Sequence, residues 1–178
     1  MAVINIRGDI VGNDDKWIYD WFGMDATCPK DITDTINSTA DDEEIEVFIN
    51  SGGGSVMAGQ EMYSALSQKK NVTIIIQSMA GSAASVVAMA GKSKISPVAM
   101  IMIHNVSICG ASGDYHDMQK HAEILKQMNA AMAAAYTEKS GRGLDEILKM
   151  MDRETWLTAN QCLEYGFCLL YTSPSPRD

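Results

Sequence analysis

Short apolar runs alternate along this chain with segments of helical period, and that alternation sets the first expectation about the fold. Val3–Val11 reads as a strand interrupted by Gly8, and Ile45–Ile49 and the β-branched run Val72–Ile76 read as further strands. Between them, Pro29–Thr39 carries Ile32 and Ile36 four apart on one helical face, and Met57–Gln68 ends in Lys69 and Lys70, cations that suit a helix C-terminus. Ser82–Ala90 reads as a helix, Ile95 and Ala99–His104 as strand material. Met118–Lys139 is the longest helix, with Met118, Ala122, Leu125, Met128, Met132 and Ala135 at helical spacing. Ser140–Gly143 stops it. Leu144–Met151 is a short helix, and Thr158 with Gln161 has capping-box spacing for a last helix ended by Gly166. Asn13–Asp15 reads as a turn, Trp17–Trp21 as an aromatic loop or helix start, Asp41–Glu44 as an acidic loop and Ser51–Ser55 as a sharp glycine-rich loop. Strands and helices in this order predict an α/β layered fold of βαβ units with mostly parallel strands and a protruding long helix, in one domain.

Composition narrows the function without naming it. The 178 residues, 46% hydrophobic and 21% charged, are enough for one packed core. A formal net charge of −9 with no Lys/Arg-rich patch argues against nucleic acid and anionic membrane as partners. No apolar run reaches membrane-spanning length, and the N-terminus reads directly as a strand rather than a leader. Cys28, Cys109, Cys162 and Cys168 have no metal-binding spacing and read as reduced packing thiols of a cytoplasmic protein. No metal and no cofactor are expected, and the thirteen methionines are assigned to core and subunit contacts.

The candidate chemistry lies in VTIIIQSMAGSAASVVAMAG, residues 72–91. An apolar strand gives way to small residues and then to a helix, so a serine at that turn can present its Oγ while the helix N-terminus behind it offers unpaired N–H groups. Downstream, Ala99–His104 ends a strand on a histidine, which can serve such a serine as base. A carboxylate to orient the imidazole is to be sought among Asp145, Glu146, Asp152 and Glu154, and position alone leaves that choice open. His116 and His121 read as solvated or interfacial.

Four segments in order carry a resemblance to a known family: FINSGGGSVMAG (48–59), residues 72–91, MIHN (102–105) and DRETWLTANQCLEYGF (152–167). The chain resembles the proteolytic subunit of the Clp protease, and within that family the Clp-like proteases of phages and prophages. The resemblance implies a Clp-protease/crotonase-like fold and a serine endopeptidase. The family's nucleophile falls on Ser82, with Ser85 as the rival, and its base on His104. Its carboxylate falls on Glu154, with Asp152 as the alternative, and its oxyanion hole on the N–H groups of Gly53 and Ala83. The same resemblance implies a ring homo-oligomer, with two rings meeting through the long helix, acting on unfolded polypeptides or capsid precursors in prohead maturation. A Clp-type ATPase is a further possible partner. Ser78, Gly52, Val106 and Glu154 depart from the residues usual in the family. Two alternatives stand beside the peptidase: a catalytically inactive assembly subunit, and a crotonase-type acyl-CoA enzyme on the same architecture. The peptidase domain is read as residues 1–167. The Ser/Pro-rich tail, 168–178, back-translates into the end of a transposon-based sequencing adapter and is read as non-native, with the natural chain truncated after about Phe167.

Overall fold

A computed structural model describes residues 1–172 of the chain. In chain order the elements are β1 (Ala2–Ile10), α1 (Lys16–Phe22), β2 (Ala26–Thr27), α2 (Pro29–Ser38), β3 (Ile45–Gly54), α3 (Val56–Ser67), β4 (Val72–Gly81), α4 (Ala83–Val87), β5 (Lys92–Ile95), β6 (Met100–Ile103), α5 (Tyr115–Ser140), α6 (Leu144–Asp152), β7 (Thr155–Thr158), α7 (Ala159–Glu164) and β8 (Leu170–Tyr171).

The expected α/β architecture is what forms. Strands β2-β1-β3-β4-β5-β8 lie side by side, all parallel. The alternation that predicted the strands is the reason they hold: Ile45, Val47 and Ile49 of β3 and Val72, Ile74 and Ile76 of β4 turn to one side and are buried. Each such side chain contributes about 1.5–3 kcal/mol by leaving water. The helices supply the matching residues, Ile32 and Ile36 from α2 and Met62 and Leu66 from α3, and all join one contiguous core.

The sheet forks at β4, and the fork positions the chemistry. The first half of β4, Thr73–Ile76, pairs with β5. Its second half turns to a different neighbour, Met79–Gly81 pairing in parallel with Met100–Met102 of β6. Strand β7 then closes antiparallel on β6, Ile103 opposite Thr155. The end of β4 is thereby laid beside the end of β6.

Several elements differ from the sequence reading. Ser51–Gly54 is not a free loop but the last stretch of β3: Gly53 and Gly54 pair with Asp9 and Ile10 of β1 beyond a bulge that sets Ser51 and Gly52 opposite Gly8. The Ser82–Ala90 helix is only Ala83–Val87. The aromatic stretch is the helix α1. Strands β2 and β7 carry too little apolar periodicity to be read alone; the sheet edge specifies them. Helix α5 exceeds its expected span at both ends, yet only Met132, Ala133, Ala135 and Tyr136 of it are buried, so its first half lies at the surface. Beyond Phe167, Cys168 is buried and Leu170–Tyr171 adds two exposed residues to the edge of β5. The rest of the segment read as non-native, 173–178, lies outside the described residues.

Candidate active site

Ser82 stands where β4 ends and α4 begins, in the backbone conformation φ 50°, ψ −124°. A non-glycine residue rarely occupies a positive φ, and such strain persists only where the surroundings hold it. They do so here: Ser82 N–H donates to Met102 O at 2.9 Å across the β4–β6 junction, and the helix behind it is entirely buried, Ala83 through Val87. Small residues let the layers close up. A side-chain carbon added to Gly59 of α3 would lie 3.0 Å from Ala83 Cβ. The turn therefore aims the half-buried Ser82 side chain out of the sheet, and the fork of β4 brings His104, one residue past β6, against it. Ser82 Oγ and His104 Nε2 are 2.7 Å apart. In the neutral imidazole with its proton on Nδ1, the hydroxyl donates to Nε2, the geometry a general base needs.

Ser85, the rival nucleophile, is fully buried. Its hydroxyl donates to Ser82 O at 2.6 Å and lies 2.7 Å from Tyr136 Oη. Burial pushes the Tyr136 hydroxyl well above its ordinary range, so it stays protonated. Ser85 thus braces the turn from inside. Tyr136 lies 51 residues further on, on α5, and no local pattern in the sequence links the two.

The two amides expected to hold an oxyanion differ in their surroundings. Ala83 N–H heads α4, where a helix leaves donors without intrahelical partners. Gly53 N–H donates instead to the buried Ser51 Oγ at 3.1 Å, and that hydroxyl donates to Gly8 O at 2.6 Å. The Gly53 amide is thus engaged by a side chain two residues earlier in its own strand. Its successor Gly54 lines the cleft, together with Val56, Ser82, Ala83, His104 and Val106. Both glycines are required by space as well as conformation. Gly53, at φ +107°, would put a Cβ 2.6 Å from Ser82 Cβ and 2.7 Å from Gly81 O. Gly54, at φ +147°, would put one 2.2 Å from Ile10 O. Gly53→Ala is accordingly expected to cost about 2–4 kcal/mol of stability and to lower peptide cleavage about 100-fold or more, measured by thermal unfolding beside a kinetic assay. Unchanged values in both would show that the turn yields freely.

Neither candidate carboxylate is hydrogen-bonded to the imidazole. Asp152 Oδ1 accepts from Asn105 Nδ2 at 2.9 Å, and Glu154 Oε1 accepts from Trp156 Nε1 at 3.2 Å. Both residues are exposed, and Glu154 has a positive φ of 48°. Asp145 and Glu146 sit in the first turn of α6, and Glu146 pairs with Arg142. Among the described residues, no group of three or more His, Cys, Asp or Glu side chains gathers in a way that could hold a metal ion, and no helix is long and apolar enough to cross a membrane.

Comparison with known proteins agrees with the resemblance read from the four segments. A family model described as Clp protease matches residues 31–169. The chain is 32% identical over 137 residues, 74% of this chain and 75% of the relative, to the ATP-dependent Clp protease proteolytic subunit 2 of Tropheryma whipplei (strain Twist). It is 33% identical over 133 residues, 72% and 69% of the two chains, to the ATP-dependent Clp protease proteolytic subunit 1 of Chlamydia muridarum. It is 32% identical over 135 residues, 74% and 65%, to the corresponding subunit of Bacteroides fragilis. A serine held against a histidine at the fork of a parallel sheet is thus found in a sequence matched to one family over most of its length, and the chain belongs to the Clp protease family of serine peptidases.

Proposed function

We propose that the chain cleaves peptide bonds by attack of Ser82 Oγ on the substrate carbonyl, with His104 Nε2 taking the hydroxyl proton and returning it to the leaving amine. The observation that carries this reading is the 2.7 Å contact between these two atoms. The acyl-enzyme is then hydrolysed by water through the same base. Ala83 N–H holds the oxyanion, and because the Gly53 amide is engaged with Ser51, the partner donor is assigned to Gly54 at the cleft edge. Registry supports Glu154 over Asp152 as the residue orienting His104. The β6–β7 ladder pairs Met102 with Trp156 and ends with Ile103 opposite Thr155; continued by one pair, that register would set His104 opposite Glu154. In a ladder continued by that pair the two Cβ atoms would lie about 5 Å apart, and we take the glutamate to turn from Trp156 toward Nδ1.

An apolar groove of about 290 Å³ meets the cleft at Gly54, Val56 and Val106 and runs along Ile124, Leu125 and Met128 of α5. It suits an apolar side chain beside the scissile bond. The relatives are named as proteolytic subunits of ATP-dependent proteases. By that likeness we take this chain to assemble in rings, two of which meet through the long helix α5, in the cytoplasm, with unfolded chains or capsid precursors as substrates and an ATPase as a further partner. Membership of the family favours hydrolysis over acyl-CoA chemistry, and a serine in hydrogen-bond contact with its base speaks against an inactive assembly subunit. A fluorophosphonate probe tests the core of the proposal: the adduct is expected on Ser82 Oγ, with fluoride displaced, and mass spectrometry locates it. An adduct on Ser85, or no adduct, sinks the assignment.

A further inference from the structure

Helix α1 reads KWIYDWF, and none of its seven residues is buried. Trp17, Trp21 and Phe22 are 59%, 75% and 68% exposed. Their rings form a run, with centroids 6.3 Å apart from Trp17 to Trp21 and 5.6 Å from Trp21 to Phe22. Helices this short are held by packing rather than propensity, so the open aromatic face contributes little to holding α1 in place. Exposed apolar area of this kind marks a surface that something covers, and tryptophans are the side chains that carry most energy when covered.

Two observations indicate what covers it. The first is charge. Residues 13–25 contain four aspartates, Asp14, Asp15, Asp20 and Asp25, and one base, Lys16, which is already paired with Asp20. A second α1 laid on this face would set aspartate against aspartate, and an anionic lipid surface would be repelled, whereas a cationic segment is attracted. The second is continuity. Ile18, Tyr19 and Asp15 share a cavity of about 430 Å³ with Gly54 and Ser55, and Gly54 also lines the Ser82–His104 cleft. The three exposed rings do not line this cavity; Ile18 and Tyr19 of the same helix carry the surface on toward Gly54 and the nucleophile.

We propose that α1 is a docking surface for the polypeptide substrate, taking a stretch of apolar or aromatic side chains flanked by Lys or Arg. The cations meet the aspartates and the tryptophan faces, and the apolar residues cover the ring stack. This rests on the peptidase reading for its occupant, so binding and cleavage are measured apart. Binding is read by fluorescence anisotropy on the Ser82→Ala chain with two labelled twenty-residue peptides, one apolar with Lys/Arg flanks and one with the same apolar residues and Glu flanks. The basic peptide is expected to bind at least 10-fold tighter, and Trp17→Ala/Trp21→Ala is expected to weaken it 10- to 100-fold. In the chain that keeps Ser82, the double variant is expected to raise KM for the long basic substrate and to leave a four-residue fluorogenic peptide unaffected. Equal binding of the two peptides, or no effect of the double variant, overturns the surface and leaves the peptidase reading standing. A shift in sedimentation on replacing the tryptophans also overturns it, because the occupant is then a second copy. Tight, tryptophan-dependent binding of the basic peptide with no cleavage of either substrate by the Ser82 chain supports the surface and removes the peptidase reading.

Discussion

Ser82→Ala is expected to lower kcat for a fluorogenic peptide about 10⁴-fold or more while the protein stays folded. The reasoning separates the side chain from the turn that carries it. The strained backbone is held by Ser82 N–H donating to Met102 O and by the buried helix α4, neither of which involves Oγ. Removing Oγ deletes the nucleophile and one hydrogen bond to an imidazole that is itself half-buried, so thermal stability should move by about 1 kcal/mol or less. Losses of this size are what removal of a nucleophile costs when the members of a catalytic unit act together. Ser85→Ala gives the contrast. It leaves the nucleophile in place but strips the fully buried Tyr136 hydroxyl of its partner. An unpaired buried donor costs about 1–3 kcal/mol, so this variant is expected to lose stability first and activity only as far as the turn loosens. Thermal melts and peptide cleavage on the two variants check both halves. A Ser82→Ala chain that keeps its activity would require a different nucleophile.

Glu154→Gln is expected to lower kcat by about 10²–10⁴-fold, whereas Asp152→Asn should cost less than about 10-fold. The amide keeps the size of the glutamate but not its charge, so His104 loses the partner that fixes its tautomer and stabilises its protonated form. The loss should appear in kcat rather than KM. Asp152 has another employment: its carboxylate accepts from Asn105 Nδ2, one residue past the histidine, so its neutral variant disturbs the loop and not the imidazole directly. If the two variants exchange these magnitudes, the orienting carboxylate is Asp152, and the registry of β6 and β7 has been over-extended by one pair.

Much of the molecule could be read before any coordinates. The strands of the parallel sheet announce themselves because Ile45–Ile49 and Val72–Ile76 are short, β-branched and flanked by polar residues, and a strand buried in a layered sheet needs that composition. Helices α2, α3 and α7 follow from apolar period and caps, which are local properties. The serine turn and the histidine at a strand end were legible for the same reason. Less legible was anything that depends on which strand lies beside which. That SGGG extends β3 depends on β1 lying alongside it, since glycines have no strand preference of their own. The place of Gly54 on the cleft follows from that pairing.

The sequence by itself determined the layered α/β class, a serine turn after the Val72–Ile76 strand and the candidate base at His104, because each of these is dictated by residues close together in the chain; which serine of the turn is the nucleophile came from the family resemblance. Only the tertiary structure decided that β4 forks between β5 and β6, which brings a hydroxyl and an imidazole 22 residues apart to 2.7 Å. It alone decided that Ser85 is sealed beneath Tyr136, that much of α5 and the aromatic face of α1 remain uncovered, and that β7 closes on β6 as far as Ile103 opposite Thr155. Hydrophobic period says which face of an element seeks cover. What covers it, or leaves it bare, is set by the packing of elements far apart in the chain.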